Sequence, residues 1–348
     1  MALQLLISQK VWKRIAVAAA LPPGIAKASA STAPLNFLTS FGAKADATRP
    51  LTWGVLLISV AVIVIIALLL AGAIWRRPGL AAATPGERLE VGPETGGLNW
   101  LWIGVGLSSL VLLFSVVWTV GVLAEIAWPT NKPGVVIEVT GPPWWWPVRY
   151  LSDDPSRIFT TANEIHIPAG QPVLFKLVGG DVIHSFWVPA LAGKTDTIPG
   201  QTNETWLEAR VPGVYRGQCT EYCGIEHAHM SLVVIAQAPA EFAAWQAQQL
   251  QSPEMPSGQA LAGMSDFGMH CAGCHAVRGT DAAGMLGPDL SHLMQRTTLG
   301  AGALPNDPQH LAQWISDPQG AKPGNLMQKP ELTGNELAAI DAYLGTLR

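Results

Sequence analysis

The sequence predicts a membrane α-helical hairpin, an all-β sandwich and a small all-α domain, in that order. Three observations carry this. Two apolar runs are long enough to cross a bilayer. A stretch of short β-branched runs, cut by turn residues, follows them. The C-terminal part is helix-like and opens with Cys-x-x-Cys-His. Of 348 residues, 49% are hydrophobic and only 13% charged, and the apolar excess lies almost wholly before residue 129. That balance is too apolar for an ordinary soluble chain.

The hairpin occupies 49–128, with spans at 51–75 and 98–128. About 20 apolar residues cross a hydrocarbon core, and both runs exceed that. Trp53, Trp75, Trp100, Trp102 and Trp128 gather at the ends of the spans, where amphipathic rings favour the headgroup level. Arg76, Arg77 and Arg88 lie in the short connecting loop. The positive-inside rule therefore puts 76–97 in the cytoplasm and everything after about 129 on the outer side of the membrane. Residues 1–30 read as a signal peptide: Lys10, Lys13 and Arg14 precede an apolar stretch at 15–21, and Ala28-Ser29-Ala30 fits a cleavage site. Pro22, Pro23 and Lys27 are atypical there, and a retained tail is the alternative.

Residues 131–238 form the β-domain, with runs at 135–140, 164–167, 173–178, 184–188, 205–209 and 232–235. Gly141-Pro142, Asp153-Asp154-Pro155, Pro168-Ala169-Gly170 and Pro199-Gly200 separate them, a spacing typical of a sandwich or barrel. Residues 239–258 supply a helix to about 251 and a proline-containing linker. In 259–348, apolar spacing marks helices at 309–316 and 333–347. Thr333 and Glu336 form a capping-box pattern at the start of the second. A net charge of -4 and the lack of any Lys/Arg run argue against nucleic acid as a partner.

All four cysteines fall in two short motifs. Cys219, Cys223, His227 and Met230 lie so close in sequence that one loop between strands can aim all four inward, and His184 opens an upstream strand. Thiolate and imidazole suit copper, and a thioether can add a weak axial contact. A single blue-copper ion needs only one thiolate; the second points to two coppers sharing both sulfurs. An electron spread over two metals changes bond lengths little, which suits a relay. A Cys219–Cys223 disulfide, with His227, His229 and Met230 as packing or surface residues, is the competing reading. His229 is expected to face solvent.

These residues resemble subunit II of haem–copper cytochrome c oxidases. The likeness runs over about 50–236 through Asp181-Val-Ile-His184-Ser-Phe-Trp-Val-Pro189, Gly193-Lys-Thr-Asp196, Pro199-Gly200 and 219–230. It implies a cupredoxin-like fold and a binuclear CuA centre held by His184, Cys219, Cys223, His227, Met230 and the Glu221 backbone carbonyl. The Glu221 carboxylate, by the same resemblance, reaches a magnesium ion at the contact with the catalytic subunit; the plain alternative is a solvated loop acid. Trp144, Trp145 and Trp146 resemble the family's aromatic patch, which makes Trp144 the point where an external cytochrome delivers its electron. Here Gly141-Pro142-Pro143 stands where the family has Gly-His-Gln. An interfacial tryptophan belt is the other reading.

In Cys271-Ala-Gly-Cys274-His275 the thiols bond a haem covalently and His275 ligates its iron. The domain resembles class I cytochromes c in Gly287-Pro288-Asp289-Leu290 and in Lys322-Pro-Gly-Asn-Leu-Met327. That similarity makes Met327 the distal axial ligand and gives the Pro288 carbonyl the task of orienting His275. Met285 and Met294 compete, but both follow His275 so soon that little chain remains to pass round the ring.

The chain as a whole thus resembles oxidase subunit II with a fused cytochrome c domain. The resemblance implies electron transfer from haem c to CuA and on to the catalytic subunit I, where dioxygen is reduced to water with proton pumping. Implied partners are that subunit, further oxidase subunits, membrane lipid, and an external cytochrome c or upstream cytochrome complex as donor. No catalytic residue is expected in this chain itself. A CuA-containing nitric oxide reductase subunit and a membrane-tethered copper carrier are the alternatives.

Overall fold

The computed structural model describes residues 35–75 and 97–348. The expected signal peptide at 1–30 and the loop arginines Arg76, Arg77 and Arg88 lie outside the described residues.

Helix α1 (Ala43–Trp75) and helix α2 (Gly97–Ile126) pack against each other. Gly54 makes their close approach feasible, because a Cβ there would stand 2.5 Å from the Trp118 ring. Beyond the first turns of α1, both helices are largely apolar on all sides, and side chains such as Leu57, Leu69 and Leu110 are exposed. A helix of that kind needs lipid around it. Helix α1 starts ahead of the expected span. Its first turns carry Lys44, Asp46 and Arg49, so no apolar run announces them. They dock on the β-domain instead: Ala45 N–H donates to the Leu191 carbonyl, and Asp46 pairs with Arg210 at 2.7 Å. At the other end of the hairpin, Trp206 Nε1 donates to the Ile126 carbonyl at 2.9 Å. Both helix ends thus fix the sandwich over the hairpin.

The β-domain holds β1 (Val135–Gly141), β2 (Pro147–Leu151), β3 (Phe159–Ala162), β4 (Glu164–Pro168), β5 (Val173–Gly179), β6 (His184–Trp187), β7 (Thr195–Thr197), β8 (Thr202–Leu207), β9 (Gly213–Cys219) and β10 (Ser231–Gln237). One sheet runs β3-β2-β1-β5-β8 and the other β4-β10-β9-β6-β7. Pairing is antiparallel except for β1 with β5 and β4 with β10. Alternating residues bury Ile137, Val139, Val148, Phe175, Leu177 and Phe186 between the sheets, as two facing sheets require. Each expected run corresponds to a strand, although that at 205–209 starts earlier and ends at Leu207. Strands β2, β3, β7 and β9 had no distinct apolar signal.

Helix α3 (Pro239–Gln249) lies against β4 and β10. The C-terminal domain comprises α4 (Gln259–His270), a short β11–β12 ladder (Thr298–Leu299 with Leu304–Pro305), α5 (Pro308–Ser316), α6 (Pro318–Ala321) and α7 (Gly334–Leu344). The Thr333–Glu336 capping box forms as expected. Phe267 of α4 meets Tyr343 of α7 edge-on within this domain's own core.

Candidate metal centres

Antiparallel pairing of β6 with β9 sets Phe186 opposite Cys219. That register brings His184, at the start of β6, to the end of β9, where the loop 220–230 begins. The loop then returns into β10, with the Cys219 N–H donating to the Met230 carbonyl at 3.0 Å. Five side chains therefore converge. The Cys219 and Cys223 sulfurs are 3.8 Å apart; His184 Nδ1 is 3.9 Å from the first, His227 Nδ1 is 3.5 Å from the second, and Met230 Sδ is 3.9 Å from the second. The Glu221 carbonyl lies 3.3 Å from Cys219 Sγ. Cys219, Cys223, Met230 and His184 are buried.

This donor set fits copper and not a cystine. A disulfide brings its sulfurs to about 2.05 Å, whereas these stand 3.8 Å apart with two ring nitrogens beside them. Burial opposes ionisation of Cys219, but the bonds it makes to His184, the Ser185 and Glu221 backbone and Cys223 outweigh it and hold the thiol below its usual range. Burial and the adjoining Cys219 charge push Cys223 up to about 12. Two thiolates this close repel unless cations stand between them, and soft metal ions supply that charge.

Three surrounding groups set the geometry. Asp181 accepts from His184 Nε2 at 3.0 Å, which leaves the Nδ1 lone pair facing sulfur. Asp181 is therefore a positioning residue that sequence reasoning quoted only as part of a motif. Trp146, wholly buried, places its ring edge against His184. Trp144, half-buried, donates from Nε1 to the Cys223 carbonyl at 2.9 Å. His229 turns outward as expected and bonds Glu226. The Glu221 carboxylate is half-exposed and meets Lys194 at 3.4 Å.

In the C-terminal domain, Cys271 and Cys274 are free, and His275 Nδ1 donates to the Pro288 carbonyl at 2.8 Å. Burial lowers the His275 ring below its ordinary value, so Nε2 keeps a lone pair for iron. Gly287 permits this arrangement: a Cβ there would sit 2.5 Å from His275 Cε1. Met327 is held by its backbone, its N–H donating to Asn325 Oδ1 and its carbonyl accepting from Gln319. Met294 packs against the domain core, and Met285 is 90% exposed on the surface.

Residues 135–237 match the cytochrome c oxidase subunit II periplasmic domain, and 258–348 match cytochrome c. Cytochrome c oxidase subunit 2 of Alkalihalophilus pseudofirmus is 42% identical over 218 residues, 62% of this chain and 61% of that protein. That of Bacillus subtilis is 29% identical over 271 residues, 72% of this chain and 74% of that protein. The periplasmic domain of subunit II of cytochrome oxidase of Bradyrhizobium japonicum is 32% identical; the match covers 35% of this chain and 96% of that one, with a TM-score of 0.32. The chain carries the periplasmic domain of cytochrome c oxidase subunit II. A cytochrome c domain is fused at its C-terminus.

Two apolar helices ahead of a periplasmic domain fit a two-span protein of the bacterial inner membrane. The pairing of these two domains implies copper in the β-domain and haem in the C-terminal one. It does not favour a nitric oxide reductase subunit or a copper carrier.

Proposed function

We propose that this chain carries single electrons from a covalent haem c to a binuclear copper centre, as the electron-input subunit of a cytochrome c oxidase. Its ligands are His184, Cys219, Cys223, His227, Met230 and the Glu221 carbonyl for copper. Cys271 and Cys274 would attach the haem, and His275 and Met327 would hold its iron. The working units are the hairpin at 49–128, the copper domain at 131–238, the connector at 239–258 and the haem domain at 259–348. When bound, these groups supply one-electron redox chemistry with little rearrangement.

The residues do the rest. Asp181 and Pro288 fix which ring nitrogen of His184 and His275 is free. The buried sheets exclude water from the sulfurs. Trp144 offers an indole path to the Cys223 backbone and is the site of electron input to copper. The Glu221 carboxylate, turned outward beside Lys194, is placed to meet a magnesium ion at the contact with subunit I. The exposed helices α1 and α2 supply the membrane face for subunit I, where dioxygen is reduced, and an external cytochrome delivers electrons to the haem domain.

One observation carries this reading: two unbridged sulfurs 3.8 Å apart, flanked by two imidazoles and a thioether, in a chain that also holds Cys-x-x-Cys-His. Paramagnetic and optical spectra of the purified chain test it. Mixed-valence dicopper and low-spin haem signals are expected together, and Met327→Ala is expected to abolish only the latter. Copper that dialyses away against a chelator would overturn the reading.

A further inference from the structure

The copper and haem domains meet along a seam where each inserts an ionisable side chain into the other. Lys322 of the haem domain is 2% exposed. Its ammonium donates to the Trp144 and His229 carbonyls of the copper domain at 2.6 and 2.8 Å, and to the Gly300 carbonyl of its own domain at 2.9 Å. All three protons have acceptors. Glu164 of β4 is 3% exposed and points the opposite way. Its Oε1 accepts from the Thr297 N–H and hydroxyl, both at 2.7 Å, and from the Thr298 N–H at 3.2 Å. Between the two, Ser231 N–H and Oγ donate to the Ala301 carbonyl at 3.2 and 2.6 Å.

The physics of these contacts favours one pose over many. A buried ion without partners is heavily penalised, while a buried ion with every partner in place is tolerated. Sliding the domains by a few ångströms would strip Lys322 of two carbonyls and Glu164 of its donors at once. The Lys322 ammonium and Glu164 Oε1 find their partners in a single register. Glu164 Oε2 is buried without one, and burial raises that carboxyl above its ordinary range. Burial lowers the Lys322 ammonium to about 8, so it keeps its proton at neutral pH. Ala301, which presents the middle carbonyl, holds a left-handed backbone at φ 61°; such strain persists only where surrounding contacts fix it.

We infer that the haem domain does not swing on its connector but is pinned to the copper domain by reciprocal insertion of Lys322 and Glu164, with Lys322 as the positioning residue. The pin places the loop that carries Met327 beside Trp144: a Cβ on Gly324 would lie 3.9 Å from the Trp144 ring. Only the purpose of the pin, a constant path from haem to copper, rests on the proposed electron-carrier role.

Hydrogen exchange on the full chain in detergent, metal-free and metal-loaded, tests the pin apart from that role. In Lys322→Met, amides at Ser231, Thr297 and Thr298 are expected to lose protection by about tenfold or more, while those within β5 and α7 keep theirs. Unchanged protection at all three seam amides would overturn the inference. Should Lys322→Met lose protection in β5 and α7 as well, Glu164→Leu, which removes the acceptor of all three seam bonds, decides in the same assay. Selective loss at Thr297 and Thr298 then supports the pin, and no loss refutes it. The metal-free result stands whether or not the chain carries electrons.

Discussion

Trp144 and Cys223 are joined by one hydrogen bond, the indole Nε1 donating to the Cys223 carbonyl at 2.9 Å. The same tryptophan's carbonyl accepts the Lys322 ammonium. One residue therefore touches both the sulfur-bearing loop and the haem domain. If that contact is the conduit, Trp144→Phe keeps an aromatic ring but removes the N–H. Electron transfer into copper is then expected to slow by about tenfold, roughly 1.4 kcal/mol of barrier, with both optical spectra intact. Flash reduction of the haem followed at a copper band measures it, and an unchanged rate would reject the conduit.

Cys223 is the sulfur nearest to His227 and Met230 as well as to Cys219. Cys223→Ser removes a soft bridging donor and leaves a site suited to a single copper. The expected outcome is loss of the binuclear signal, with copper per chain falling by about half and the haem spectrum untouched. Metal analysis beside paramagnetic resonance reads both. A delocalised dicopper signal in this variant would show that Cys223 does not bridge.

Asp181 acts through His184 and touches no sulfur-facing atom. Asp181→Asn keeps the shape but weakens the acceptor at His184 Nε2. Loss of such a supporting partner typically lowers metal affinity by about 10–100-fold. Competition with a chelator of known strength is expected to show that drop, whereas thermal stability of the metal-free domain should hardly move. Equal loss of both would make Asp181 merely structural.

The donor cluster was legible in the sequence because Cys219, Cys223, His227 and Met230 lie within one loop, and His184 sits in a run with strand character. Their mutual distances follow from the β6–β9 register, which no local pattern encodes. Strands β2 and β9 carry no apolar run for a physical reason: Pro147-Val-Arg-Tyr-Leu151 and Gly213-Val-Tyr-Arg-Gly-Gln-Cys219 mix charges or glycines into their faces. Each is nonetheless held by a ladder on both sides. Lys322 was visible only as part of a loop motif. Its acceptors come from residues 144, 229 and 300, far apart in the chain, so its burial is a tertiary fact. The same holds for Glu164, an acidic residue on a strand that would ordinarily face water.

His166 offers a stability test independent of either metal site. On β4 its ring stacks against Trp245 of α3, centroids 4.0 Å apart at 9°, and Nδ1 contacts Gln237 Oε1 at 2.8 Å. Burial pulls the ring from its ordinary 6.5 down to about 4, against the small upward pull of that Gln237 bond. Between those values the unfolded chain binds a proton that the folded chain refuses. Stability is therefore full above pH 6.5 and declines as pH falls toward 4, by on the order of 3 kcal/mol across the window. His166→Phe keeps the stack on Trp245 and has nothing to protonate. Denaturant midpoints at pH 7 and 4.5 are expected to fall further for the wild-type chain than for His166→Phe, since other acid-sensitive groups are common to both. Parallel declines in the two proteins would mean that His166 is protonated as readily in the folded state as in the unfolded one.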